Sequence, residues 1–81
     1  MLTRKLIVSE YTAVPDIGLT KIDVREQTYV SEDTAEKAYT AALQYWNKKG
    51  TTKDETVGVK KAFKTTMIEG QYWITVELQV L

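Results

Sequence analysis

The sequence predicts a small α+β domain with the element order ββαββ, in which one helix packs on one face of a four-stranded antiparallel sheet. Two observations predict this fold. Residues 32–49 alone combine a helical repeat of apolar side chains with good capping residues at both ends. Two pairs of extended segments, each pair joined by a turn, lie before and after this stretch. The length of 81 residues suits one domain, so we expect residues 1–81 to fold as a single unit.

The first hairpin is predicted from two extended segments, residues 2–12 and 19–30. Pro15 lies between them and favours a turn, because its ring fixes the backbone angle of a central turn position. In the second strand Ile22 and Val24 alternate with charged residues. The apolar side chains are therefore expected on one face of this strand and the charged side chains on the other.

The helix is predicted over residues 32–49, where apolar side chains recur at helical spacing. The residues that share this stripe are Ala35, Tyr39, Ala42 and Trp46. Ser31 is a good N-cap residue, and Gly50 suits the position just beyond the helix end. Acidic residues gather in the first turn and lysines in the last, as the helix dipole favours. We expect this helix to pack its apolar stripe against the sheet.

The second hairpin follows a polar segment, residues 51–56, for which we expect a mobile loop because it has no apolar side chain to anchor it. Residues 56–68 and 71–81 are predicted as strands joined by a two-residue turn at Glu69 and Gly70. The resulting register pairs Ile68 with Gln71, Met67 with Tyr72, Phe63 with Val76, and Val59 with Val80. This register gives the hairpin one apolar face and one polar face, as in a half-buried sheet.

Trp73 is the most informative residue for function, because the predicted register places it on the polar face of the second hairpin. Its expected neighbours on that face are Lys60, Lys64, Thr66 and Thr75. One helix cannot cover both faces of a four-stranded sheet, so this face is either wet or an interface. An outward tryptophan ringed by polar groups is typical of an interface anchor. The alternative is that the tryptophan is covered, either by the first strand, which is apolar on both faces, or by a curled edge of the sheet.

The charges of the chain balance overall but are segregated along it. Lysine plus arginine and aspartate plus glutamate number 11 each, which argues against strong nonspecific binding to duplex DNA. Acidic residues dominate residues 10–36, and lysines dominate residues 48–64. Opposite patches of this kind can steer a partner or drive self-association, although ordinary solvated faces would look the same.

The composition removes several kinds of chemistry. The chain has no histidine and no cysteine, the residues that supply the commonest general base, most catalytic triads and most transition-metal ligands. The glycines are scattered and form no phosphate-binding motif. We therefore expect no catalytic activity, no metal and no cofactor. No apolar run approaches the length of a membrane span or a signal peptide, so we expect a cytoplasmic protein that does not enter a membrane.

Together these observations predict a non-catalytic protein-binding module that forms a homo-oligomer, either by burying the polar sheet face or by pairing an edge strand. Short neutral chains of this kind are common among the accessory and inhibitor proteins of bacteria and their phages. The expected binding residues are Trp73, Lys60, Lys64, Thr66 and Thr75. The alternative function is binding or sequestering of a nucleotide or a single-stranded nucleic acid, because an aromatic ring and lysines on a sheet can stack bases and hold phosphates.

Overall fold

The computed structural model describes residues 3–81, excepting the side chain of Leu19. The elements are β1 (Arg4–Val14), β2 (Gly18–Tyr29), α1 (Glu32–Lys49), β3 (Thr52–Asp54), β4 (Lys61–Thr65) and β5 (Tyr72–Val80). The predicted first strand included residue 2, which lies outside the described residues. No helix of the described part is long and apolar enough to span a membrane.

The sheet has five strands in the order β2-β1-β5-β4-β3, all antiparallel, with α1 on one face. The α+β class with a single helix is as predicted, but the four-stranded sheet and the ββαββ order are wrong. The fifth strand, β3, lies within residues 51–56, for which a mobile loop was expected. It pairs with β4 from Thr52 opposite Thr65 to Asp54 opposite Phe63. Backbone groups alone make this ladder, so a segment without apolar side chains can close a sheet edge.

β1 and β2 form a long hairpin that contains a β-bulge at Ile22. Asp23 lies opposite Glu10. Lys21 lies opposite Tyr11, the next residue of β1, which leaves Ile22 without a partner on that strand. The extra residue reverses the alternation of side chains, so Lys21 and Asp23 point to opposite faces. The uninterrupted alternation predicted for this strand, with both residues on one face, is therefore wrong.

The turn of this first hairpin agrees with the sequence. The N–H of Ile17 donates to the carbonyl of Val14 at 3.1 Å, which closes a turn around Pro15. Asp16 has a φ of 69°, a left-handed angle that aspartate adopts more readily than most side chains do. The predicted turn is therefore confirmed.

The ends of α1 are capped by the predicted residues. Ser31 Oγ accepts a hydrogen bond from the N–H of Thr34 at 3.5 Å, and the N–H of Gly50 donates to the carbonyl of Trp46 at 3.0 Å. Gly50 has a φ of −165°, which any residue can adopt. Its lack of a side chain matters for packing instead, because a Cβ there would lie 3.3 Å from Cγ1 of the buried Ile68.

The core lies between α1 and the sheet. Ala35 is fully buried, so the helix approaches the strands closely, and Tyr39 meets Phe63 edge to face with ring centroids 5.6 Å apart. The buried apolar cluster consists of Leu6, Ala35, Tyr39, Phe63, Ile68, Ile74, Val76 and Leu78. On the same side of β4, Lys61 Nζ lies 2.7 Å from a carboxylate oxygen of Glu36. This ion pair links the helix to the sheet at the edge of the core.

The second hairpin follows part of the predicted register. Phe63 pairs with Val76, which confirms the prediction for the middle of the hairpin. At its open end Val57 and Lys60 exchange backbone hydrogen bonds of 3.0 and 3.1 Å across a tight turn. Val59 lies in that turn and is 81% exposed, so its predicted pairing within the strand is wrong. A turn before β4, which the apolar pattern concealed, shortens the strand.

The register is also wrong near the closing turn. Ile68, and not Met67, lies opposite Tyr72, so the predicted pair of Ile68 with Gln71 does not form. Between the pair of Lys64 with Thr75 and the pair of Ile68 with Tyr72, the β4 side therefore has one residue more than the β5 side. Side-chain alternation shifts accordingly, so that Ile68 is 3% exposed and Met67 is 47% exposed.

Candidate functional site

The side chains of β5 alternate between the two faces of the sheet. Ile74, Val76 and Leu78 are buried on the side of α1. Trp73 and Thr75 consequently point to the opposite side, which we call the outer face. Since α1 is the one helix of residues 3–81, its position on the other side leaves the outer face uncovered by helix.

Two aromatic rings stack on the outer face. Tyr11 of β1 lies directly opposite Trp73 of β5, and their ring centroids are 5.6 Å apart with an angle of 10° between the planes. Lys21 Nζ lies 5.5 Å from the centroid of the Tyr11 ring, within the range of a cation–π contact. Trp73 is half-buried, so β1 covers part of its ring and leaves part exposed. We call Tyr11 and Trp73 the aromatic pair.

Two lysines face each other beside the aromatic pair. Lys53 of β3 lies directly opposite Lys64 of β4, and Lys64 lies opposite Thr75 of β5. Both lysines are exposed, and the ion pairs found within residues 3–81 involve other lysines and arginines. Like charges directly opposite each other destabilise a sheet. We call Lys53 and Lys64 the lysine pair.

A depression of about 490 Å³ connects the lysine pair to Trp73. It is lined by Lys53, Glu55, Lys64, Thr65, Thr66, Met67 and Trp73. Two ammonium groups against one carboxylate give this depression a positive balance. An anionic group of a partner would therefore meet a favourable potential next to an aromatic surface.

The structure brings together most of the residues predicted as a site. Trp73, Lys64 and Thr66 line the same depression, and Thr75 adjoins Lys64 across the β4–β5 ladder. Lys60 does not join them. It precedes β4, at the opposite end of that strand from Thr66, and its Nζ lies 3.9 Å from a carboxylate oxygen of Glu77.

Tyr11 stacks on Trp73, and Lys21 lies over the Tyr11 ring, but neither residue was predicted as part of the site. Tyr11 had a local signal, an aromatic residue in a strand, but its meeting with Trp73 depends on the pairing of β1 with β5. Lys21 reaches the outer face only because of the bulge at Ile22. Neither feature can be read from local spacing.

A second concavity of about 590 Å³ lies on the helix side, between α1 and the first hairpin. It is lined by Val8, Glu10, Asp23, Arg25, Ala41, Ala42, Tyr45, Trp46 and Ile74. The floor is apolar and the rim along β2 is charged. Helix α1 therefore does not extend over β2, and this strand is exposed from Lys21 to Thr28.

On the helix side, burial and hydrogen bonding shift the pKa values of Tyr39 and Lys61. Burial raises the pKa of Tyr39. The hydrogen bond with Glu36 raises the pKa of Lys61, because it favours the charged ammonium. Within residues 3–81 no three acidic side chains cluster closely enough to hold a metal ion.

The arrangement on the outer face can bind an aromatic or anionic group by stacking and by charge.

Comparison with known protein families, curated proteins and solved structures found no match.

Proposed function

We propose that this chain is a non-catalytic protein-binding module that acts as a homo-oligomer and binds an acidic segment of a partner protein on its outer face. One observation carries the proposal: the aromatic pair lies beside the lysine pair on a sheet face that α1 leaves open. We propose a cytoplasmic accessory or inhibitor protein of the kind found in bacteria and phages.

The aromatic pair supplies the anchor for such a partner. Tryptophan and tyrosine are enriched among the residues that dominate the binding energy of interfaces, because they bury a large rigid surface. Trp73 is held in place by its contact with Tyr11, so little conformational entropy would be lost on binding. A preorganised ring of this kind suits an apolar or aromatic side chain of the partner.

The lysine pair supports an acidic partner. Lys53 and Lys64 repel each other across the β3–β4 ladder, and a carboxylate between their ammonium groups would turn this repulsion into attraction. Thr66 and Thr75 add hydroxyl groups nearby, which can donate to carboxylate or carbonyl oxygens. The proposed ligand is therefore a segment that combines aspartate or glutamate with an apolar side chain.

A displayed peptide library tests this proposal directly. We expect the full chain to select peptides that combine acidic and apolar residues. Binding of the selected peptides should be lost in Trp73→Ala and weakened on the order of tenfold in Lys53→Gln with Lys64→Gln. Lys37→Gln removes an exposed lysine of α1 and serves as the matched control. Selected peptides without acidic residues, or binding that is indifferent to Trp73→Ala, would contradict the proposal.

The second candidate function is binding of a nucleotide or a short single strand of nucleic acid. The observation that favours it is the cation–π contact of Lys21 with the Tyr11 ring, which extends the positive charge along the aromatic pair. Titration with oligothymidylate separates the two candidates. Tryptophan quenching that weakens steeply with salt favours nucleic acid, whereas its absence at low salt excludes this candidate.

A further inference from the structure

β2 is a long strand for the edge of a sheet. It spans 12 residues, whereas β3 at the other edge spans three. One side of β2 pairs with β1, and within residues 3–81 no strand pairs with its other side. Edge strands are commonly kept short or blunted, because their free N–H and C=O groups can pair with another chain. β2 is blunted by the bulge at Ile22, but the seven residues from Asp23 to Tyr29 pair with β1 in an unbroken register.

We propose that two copies of this chain form a closed dimer in which the β2 strands pair antiparallel about a two-fold axis at Val24. This inference deepens the proposed function, on whose homo-oligomer it rests, by naming the surface and the register that join the copies. Val24 is 43% exposed, and pairing it with Val24 of the second copy brings two apolar side chains together and removes part of their surface from water.

Charge complementarity selects this register. With the axis at Val24, Asp23 of each copy lies opposite Arg25 of the other, so two opposite-charge pairs flank the axis. With the axis at Asp23, Arg25 or Glu26, that residue would instead lie opposite the same residue of the other copy, so two like charges would face each other. The register at Val24 thus turns charges that could blunt the edge into cross-strand pairs.

An unfavourable contact within one copy supports the same register. Glu10 lies directly opposite Asp23 in the β1–β2 ladder, which places two carboxylates side by side at the rim of the helix-side concavity. The Arg25 Nε of the same chain lies 3.2 Å from Asp23 Oδ2, but its side chain is 83% exposed and so compensates weakly. The second copy would bring another Arg25 to the far side of Asp23. Across the joined sheet, Asp23 would then lie between Glu10 of its own chain and Arg25 of the second copy.

The fold also limits this assembly to two copies. A two-fold axis at β2 leaves only the three-residue β3 at each end of the joined sheet, which offers too short an edge for further pairing. The axis runs perpendicular to the sheet, so both helices lie on one side and both outer faces lie on the other. The dimer therefore presents two aromatic pairs and two lysine pairs on one continuous surface, which suits a partner with repeated acidic segments.

Sedimentation equilibrium of charge-reversed variants tests the register. We expect the wild-type chain to change with concentration from the monomer mass of 9.2 kDa to twice that value. Asp23→Arg and Arg25→Asp should each raise the dimer dissociation constant on the order of 100-fold, because each places like charges opposite each other. An equimolar mixture of the two variants should restore a dimer, since one chain then carries two cations and the other two anions at the seam. Lys37→Asp, the same change of charge on α1, should leave the dimer intact.

A wild-type monomer up to about 1 mM, single variants that stay dimeric, or a mixture that stays monomeric would overturn the register. Far-UV circular dichroism of every variant distinguishes loss of the dimer from loss of the fold. Trp73→Ala should remain dimeric while losing the acidic peptide, so failure of the outer-face site and failure of the β2 dimer give different results.

Discussion

The hydroxyl of Thr65 accepts a hydrogen bond of 2.9 Å from the backbone N–H of Ile74, and both residues are buried. This bond lies where the extra residue of the β4 side interrupts the ladder between β4 and β5. The side chain of Thr65 thus supplies the acceptor that a regular ladder would take from the backbone. Without it, a buried donor would be left unpaired.

Thr65→Val tests this role, because valine keeps the shape of threonine and removes the acceptor. We expect the free energy of unfolding to fall by about 1–3 kcal/mol, the penalty for leaving a buried amide without a partner. Urea denaturation measures the change. Thr66→Val, at the exposed neighbouring position, should change stability by less than about 0.5 kcal/mol. An equal effect of the two substitutions would contradict the role of the Thr65 hydroxyl.

We expect the hydrogen bonds of Asp54 to make part of the protein's stability depend on pH. Asp54 Oδ1 accepts hydrogen bonds from the Thr56 hydroxyl at 2.6 Å and from the Thr56 N–H at 3.1 Å, and these bonds lower the pKa of Asp54 below its usual value of 3.8. A lowered pKa in the folded state means that the stabilisation is present above the unfolded pKa and is lost as the pH falls through the folded pKa.

Asp54→Asn should therefore destabilise the protein at neutral pH, and the difference from wild type should shrink as the pH falls below about 4. Thermal melting between neutral pH and strong acid measures this difference. Glu55→Gln removes the neighbouring carboxylate while leaving the bonds between Asp54 and Thr56, and it should not reproduce the effect. A wild-type-to-variant difference that is constant with pH would show that the carboxylate charge contributes nothing here.

The aromatic pair should contribute to stability through direct contact. We expect a double-mutant cycle with Tyr11→Ala and Trp73→Ala to give a coupling free energy of about 0.5–1.5 kcal/mol. Guanidinium denaturation of the two single variants and the double variant measures it. Tyr45→Ala with Trp73→Ala is the control cycle, because Tyr45 lies on α1 on the other side of the sheet, and its coupling should be near zero.

We expect the lysine pair to lower the stability of the unbound protein and to strengthen the binding of acidic peptides. We expect Lys64→Gln to raise the free energy of unfolding of the unbound protein by about 0.2–1 kcal/mol, because it removes the repulsion from Lys53. The gain should shrink in high salt, which screens exposed charges. The same variant should bind the acidic peptides less tightly. A Lys64→Gln variant that is no more stable than the Lys37→Gln control would show that the opposed lysines do not strain the unbound sheet.

Local periodicity predicted the helix and its caps. Ser31 and Gly50 lie at the ends of α1 as expected, because capping depends on residues within a few positions of one another. The middle of the second hairpin was also predictable, since Phe63 and Val76 follow from one turn and one alternation. These are features in which the physical cause and the sequence signal lie close together along the chain.

The predictions were wrong where a structural feature depends on a distant strand or on a single extra residue. β3 forms from the backbone of residues 52–54, and its polar side chains gave no sign that β4 would accept it. The bulge at Ile22 and the extra residue before Ile68 each reverse an alternation that looked continuous. The outer-face position of Trp73 was predictable from its own hairpin, whereas its neighbour Tyr11 depends on which strand lies beside β5.

The extra residue of the second hairpin makes chain length, as well as composition, a determinant of how many side chains β4 presents outside the core. Thr65 and Ile68 are both buried, and the two residues between them, Thr66 and Met67, are both exposed, whereas a regular strand would hold one residue there. Removal of either one would restore an uninterrupted alternation, leave Thr65 and Ile68 buried, and take one side chain from the wall of the depression beside Trp73, whereas a substitution would change a side chain and keep the extra residue.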